Sequence, residues 1–281
     1  MRNVGKMLLV FLLLGTIAFA DIVDFSGDGR SATSSGAWAF RTNPAGIVEN
    51  EVRQILLSNT LRISIDRNVR SFTFALVEPH LDTLAGVLSI SAEFSDFNQE
   101  RMSFLYGVAG RAGITSLGVN FGIERIVKNA VVNTSLVLDL GAKGKFAESG
   151  PLGYGLTLKN FRIWSSDPQL TNQASVGAGL CLDYDQMKFA LDVMYGFNEL
   201  WTISPSAQLD LEPLSLYVTI PIFYSSQNDS VLAVDAGGSF QIGNLNVQIS
   251  VFYPFSKKDS PDLFKELSYD YQIDFRIGVK W

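Results

Sequence analysis

From Tyr269 to the carboxy terminus, an apolar or aromatic side chain occupies every second position: Tyr269, Tyr271, Ile273, Phe275, Ile277, Val279 and Trp281. Asp270, Gln272, Asp274, Arg276, Gly278 and Lys280 alternate with them. Side chains on a strand point alternately to its two faces, so the segment predicts one apolar and one polar face. The same period recurs in Val132, Thr134, Leu136, Leu138 and Leu140, in Val176, Ala178, Leu180, Leu182 and Tyr184, and in Phe189, Leu191, Val193 and Tyr195. It returns in Leu245, Val247, Ile249, Val251 and Tyr253. Weaker runs cover 54–66, 70–77, 84–94, 101–108, 114–124, 153–161, 200–209, 214–224 and 230–242. The pattern predicts about fourteen strands, with twelve as the lower count, and hence an all-β chain: a transmembrane antiparallel β-barrel.

The gaps between runs carry a second signal, because outer-membrane barrels alternate tight periplasmic turns with longer outer loops. Residues 184–186, 211–213 and 243–244 read as periplasmic turns. Residues 124–130, 163–172, 225–228 and 255–266 read as outer loops, and 143–151 as an unusually long periplasmic turn.

Arg2 and Lys6 precede an apolar run over 7–14, and Ala18-Phe19-Ala20 has the small-x-small pattern of a secretory cleavage site. Residues 1–20 are therefore expected to be removed after Ala20, leaving an amino-terminal segment over 21–50 and the barrel over 51–281. No later run is long enough for a membrane helix. Cys181 and His80 are each the sole residue of their type, so no disulfide within the chain, histidine metal site or Ser/His relay is expected. The reading is of a non-enzyme with no catalytic residue, metal or cofactor. A net charge of −6 excludes the basic face that nucleic acid requires.

Alternation places Arg62, Asp139, Asp183, Asp192, Asp210, Asp235, Asp274, Arg276 and Lys280 on the lumen side. The expectation is a solvated or ion-paired interior, since charge is tolerated there and not on the lipid face. Trp164, Trp201, Trp281, Tyr154, Tyr195, Tyr253 and Tyr269 fall near strand ends, where aromatic rings anchor at the interfaces with outer-membrane lipid.

Before the first strand, a stretch rich in Gly, Ser and Ala contains 27–32, then Ala37-Trp38-Ala39-Phe40-Arg41-Thr42-Asn43-Pro44-Ala45-Gly46-Ile47. This resembles the opening of the outer-membrane long-chain fatty-acid transporter family, FadL type, and its PorV/PorQ relatives. The resemblance extends weakly through 139–142 and 153–160 and is specific only at Asn43, Pro44, Ala45 and Gly46. It implies a fourteen-stranded barrel whose short amino-terminal segment, residues 21–50, forms a plug or hatch in the lumen. Pro44 and Gly46 favour a turn there and Asn43 can bond its own backbone, so the element either forms part of a plug or simply turns the chain into the first strand. Trp38 and Phe40 either line a hydrophobic passage or pack the plug. The resemblance also implies that Tyr271, Phe275, Val279 and Trp281 form a signal for the barrel-assembly machinery. Its functional implication is a passive channel or transporter for small hydrophobic molecules; the alternative is a structural or secretion-accessory barrel that binds other envelope proteins.

Overall fold

The computed structural model describes residues 32–64, 68–79, 84–95, 99–128, 130–167, 174–197, 200–225, 230–255 and 270–281. Residues 1–20, His80 and Tyr269 lie outside them. The strands are β1 (Gln54–Ile63), β2 (Asn68–Glu78), β3 (Leu84–Ser95), β4 (Gln99–Ala112), β5 (Thr115–Lys128), β6 (Val131–Lys145), β7 (Leu152–Ser165), β8 (Ser175–Tyr184), β9 (Met187–Gly196), β10 (Leu200–Leu211), β11 (Leu214–Thr219), β12 (Ile222–Ser225), β13 (Ser230–Ile242), β14 (Leu245–Pro254) and β15 (Tyr271–Lys280). Each pairs antiparallel with its neighbours in sequence, except that β11 and β12 both pair with β10 and β13 and not with each other, and β1 also pairs with β15, from Gln54 opposite Lys280 to Ile63 opposite Tyr271. That pairing closes the sheet and leaves no exposed edge.

β11 and β12 are the two halves of one wall strand, both lying between β10 and β13. The barrel therefore has fourteen staves. The single run expected over 214–224 breaks at Ile220 and Pro221 because proline brings no N–H to the ladder. Bonds from the Ile220 amide to the Pro205 carbonyl (2.9 Å) and from the Ala233 amide to the Pro221 carbonyl (3.0 Å) carry the wall across the break.

Side-chain parity sorts the two faces. Leu56, Ser58, Thr60 and Arg62 are buried on the inner face of β1, while Asp274, Arg276 and Gly278 face inward from β15. Away from the strand ends the outward set is apolar apart from Asn59, as in Phe104, Phe121, Leu156, Leu180, Phe189 and Ile249, all substantially exposed. A closed ladder with such an exterior satisfies its backbone internally and presents hydrocarbon to hydrocarbon, so the chain spans a membrane.

The end bearing both barrel termini has two-residue turns at 113–114, 185–186, 212–213 and 243–244. Gly113, Asp185 and Gly243 sit there at positive φ (63°, 52° and 55°), the conformation that tight hairpins demand. The opposite end carries the longest connection, 255–270. Three expected boundaries are corrected. β5 runs to Lys128 and β6 to Lys145, so 124–128 is strand rather than loop and the long turn shrinks to 146–151. Glu124 and Lys143 are strand residues whose charge faces inward, where it meets partners. β7 likewise extends to Ser165, shortening the connection expected over 163–172.

Candidate functional site

The segment 32–50 lies against the inner wall in the half of the barrel nearest the termini. It consists of two short 3-10 helices, Ala37–Arg41 and Pro44–Glu49, joined through Asn43. Asn43 is extended (φ −134°, ψ 104°), Pro44 begins the second helix, and the Asn43 Oδ1 accepts from the Ala45 amide at 3.1 Å. This is the capping geometry that Asn and an early Pro favour. Gly46 is required by crowding, because a Cβ there would overlap the Ser34 carbonyl and the Ala39 methyl.

Asn43 is also the hub that joins the segment to the wall. Its Nδ2 donates to the carbonyls of Ala32 (2.5 Å), Ala142 on β6 (3.2 Å) and Leu156 on β7 (3.2 Å). The last two residues face each other across the β6–β7 ladder, so the amide rests directly on wall backbone. Such an approach needs an inner face without side chains, and glycine provides it. A Cβ on Gly141 would overlap Asn43 Oδ1, one on Gly118 the backbone of Pro44 and Ala45, and one on Gly155 the Ala32 carbonyl.

Polar side chains around this cradle complete the attachment. Asn120 Nδ2 on β5 donates to the Phe40 carbonyl (2.8 Å), and Thr157 Oγ1 on β7 to the Thr42 carbonyl (3.0 Å). The Thr33 amide donates to Asp192 Oδ1 on β9 (3.2 Å), Arg41 to Ser58 Oγ on β1 (3.2 Å), and Lys143 on β6 pairs with Glu49 (2.7 Å). Trp38, Phe40, Ile47 and Val48 pack on inward Leu56, Ala75, Val77, Ala85 and Val87 of β1–β3. Trp38 is 8% and Phe40 2% exposed; their rings stack at 6.2 Å. The pair thus packs against wall residues. The Arg276 guanidinium lies 5.3 Å from the Trp38 ring centroid and that of Arg41 5.9 Å, within the range of cation–π attraction.

Several of the remaining inward charges meet hydrogen-bond or ion-pair partners. Asp139 accepts from Lys159 Nζ (2.5 Å), Asn120 Nδ2 (3.1 Å) and the amide of Asn160 (2.8 Å). Asn160 has φ 53° and lies beside a register shift between Leu138 and Leu140, so Asp139 pins a bulge in β7. Thr60 donates to Asp274 (2.9 Å), Arg276 pairs with Asp274, and Arg62 donates to Gln272 (2.6 Å), all across the β1–β15 junction or beside it. Glu124 bridges Arg101 and Arg162, the latter with a fully buried side chain. Glu124→Leu leaves both guanidinium groups without that carboxylate, and the expected loss is about 3 to 5 kcal/mol of barrel stability. A lower denaturant midpoint of refolded protein checks this; an unchanged midpoint would mean that lumen water compensates the guanidinium groups.

No protein-family model matches the sequence, and no curated protein matches it. Solved structures do. The CymD monoaromatic hydrocarbon channel superposes with a TM-score of 0.72 over 93% of this chain and 99% of its own, at 10% identity. The toluene transporter TodX of Pseudomonas putida gives 0.65 over 93% and 98%, again at 10% identity. A FadL homologue from Pseudomonas aeruginosa gives 0.64 over 94% and 100%, also at 10% identity. The fold is that of the FadL-type barrels.

Inside the barrel, Trp38, Phe40, Asn43, Pro44, Ala45 and Gly46 form one unit with Asp139 and Asp192 of the wall, joined through Asn120, Asn43 and Thr33. Arg276 touches the unit through Trp38, whereas Arg62 bonds Gln272 on the neighbouring strand. Tyr271, Phe275 and Val279 lie on the outward parity of β15, and the Trp281 amide bonds the Arg53 carbonyl (3.2 Å). Asn120, Thr157, Lys159, Glu124 and Arg162 were not among the candidate residues. Parity within long strands was the signal that could have found them. The glycine cradle has no local signal, because Gly118, Gly141 and Gly155 meet Pro44, Asn43 and Ala32, which lie far earlier in the chain.

Proposed function

We propose that this protein is an outer-membrane channel or transporter for small hydrophobic molecules, and that residues 21–50 occupy and control its lumen. The attachment of 32–50 carries the reading: the segment is held to the wall by hydrogen bonds and packing, with no ladder pairing. Such bonds contribute about 1 kcal/mol each, strong enough together to close a passage and weak enough singly to be exchanged. Structures of the same fold that are described as a monoaromatic hydrocarbon channel and a toluene transporter support the substrate class. No catalytic step is part of this reading.

Single-channel recording in planar bilayers tests it by comparing the mature chain with one lacking residues 21–47. Conductance is expected to appear or rise several-fold on deletion. Silence from both, in protein verified as folded and inserted, would favour a structural or secretion-accessory barrel that binds envelope proteins. One observation leans that way: Ser135, Thr202 and Thr219, all inward, are no more than 4% exposed, which suits a filled interior.

A further inference from the structure

Every joint in the wall but one lies between staves consecutive in the chain, so a connection ties each pair together at one end. The exception is the seam between β1 and β15, whose ten residue pairs run from Gln54–Lys280 to Ile63–Tyr271 with no such tie. A ladder tied at one end frays from the other, whereas an untied ladder can fray from both. Opening it would also turn a row of backbone N–H and C=O groups toward hydrocarbon. The seam is therefore the joint at which a further tie between the strands matters most.

Residues of the amino-terminal segment supply such a tie on the inner side. In the seam Ser58 of β1 stands opposite Arg276 of β15, and Leu56 opposite Gly278. The Arg41 guanidinium donates to Ser58 Oγ at 3.2 Å and lies 5.9 Å from the Trp38 ring centroid. The same ring lies 5.3 Å from the guanidinium of Arg276. Contacts thus run from β1 through Arg41 and Trp38 to β15, spanning the strands beside the Ser58–Arg276 pair. Trp38 also shares a buried cluster with Leu56. A Cβ on Gly278 would stand 3.3 Å from Leu56 Cδ2, so this leucine itself leans across the seam on to β15. Both kinds of contact depend on the indole: an aliphatic side chain in its place would offer neither guanidinium a π face.

We propose that Trp38 and Arg41 clasp the β1–β15 seam from inside, so that the amino-terminal segment holds the barrel closed. This role needs only the contact with the wall and holds whether or not the lumen conducts. Hydrogen exchange read by mass spectrometry tests it in the mature chain, reconstituted into phosphatidylcholine–phosphatidylethanolamine vesicles. Trp38→Leu is expected to speed exchange over 54–63 and 271–280 about tenfold, with β13 unchanged. Trp38→Phe keeps a π face, and its effect on the seam is expected to stay below about threefold. Residues 32–50 of Trp38→Leu should still resist protease, because Asn43 keeps its bonds to Ala142 and Leu156. Unchanged exchange at the seam, an equal rise in β13, or equal effects of the two substitutions would each overturn the proposal. So would loss of protease resistance, which would make the loosened seam a result of the segment's release.

Discussion

A Phe275→Arg protein is expected to remain largely outside the membrane, while Gln272→Glu, three residues earlier on the same strand, assembles normally. Phe275 faces lipid near the middle of β15, opposite Asn59 and Ile249. A guanidinium there costs about 2 to 4 kcal/mol against lipid, and the lost apolar side chain adds about 2 kcal/mol more. Their sum is comparable with the whole stability of many domains. Gln272 faces the lumen and accepts a hydrogen bond from Arg62 at 2.6 Å; a glutamate keeps that acceptor and adds charge where a cation already stands. Heat-modifiable migration of membrane fractions reads the folded population of each variant. Equal assembly of the two would mean that the faces of β15 had been exchanged.

The second large effect is expected from a single methyl group. Gly141→Ala should detach residues 32–50 from the wall, because the new Cβ occupies the position of Asn43 Oδ1 and crowds the Pro44 ring. Moving Asn43 away gives up its bonds to Ala142 and Leu156, and Pro44 loses its seat against Gly118. The expected readouts are rapid proteolysis within 32–50 in otherwise intact barrels, and conductance close to that of the deleted chain. Gly86→Ala is the matched control, since its Cβ would meet nothing nearer than 3.9 Å. Resistance of the Gly141→Ala segment to protease would show that the cradle yields without releasing its occupant.

These two substitutions also mark what sequence could and could not reveal. Phe275 was readable because parity is local: alternate residues disclose the two faces of β15 without any knowledge of its neighbours. The same holds for β8, β9 and β14. Glu124 and Lys143 were misread as connection residues because a charge near a strand end looks like a loop until its partner is known; Arg162 and Glu49 supply those partners. Pro221 carried a local warning, since proline interrupts ladders, yet the apolar run around it masked the break. Gly118, Gly141 and Gly155 gave no sign of their role. An absent side chain acquires meaning only when another piece of backbone arrives against it, and what arrives comes from far away in the chain.

That distance has a consequence for the order of assembly. Thr33 finds its acceptor on Asp192, 159 positions later, and the closing strand β15 meets β1 across an even longer interval. Contacts of such separation form late, after loop closure has been offset by shorter-range pairing. Asn43 rests on β6 and β7 and Thr33 on β9, so residues 32–50 have no complete surface to rest on until nine staves have formed. Trp38, Phe40, Ile47 and Val48 find cover only on the finished wall, so a segment that precedes the staves in sequence takes its shape after them.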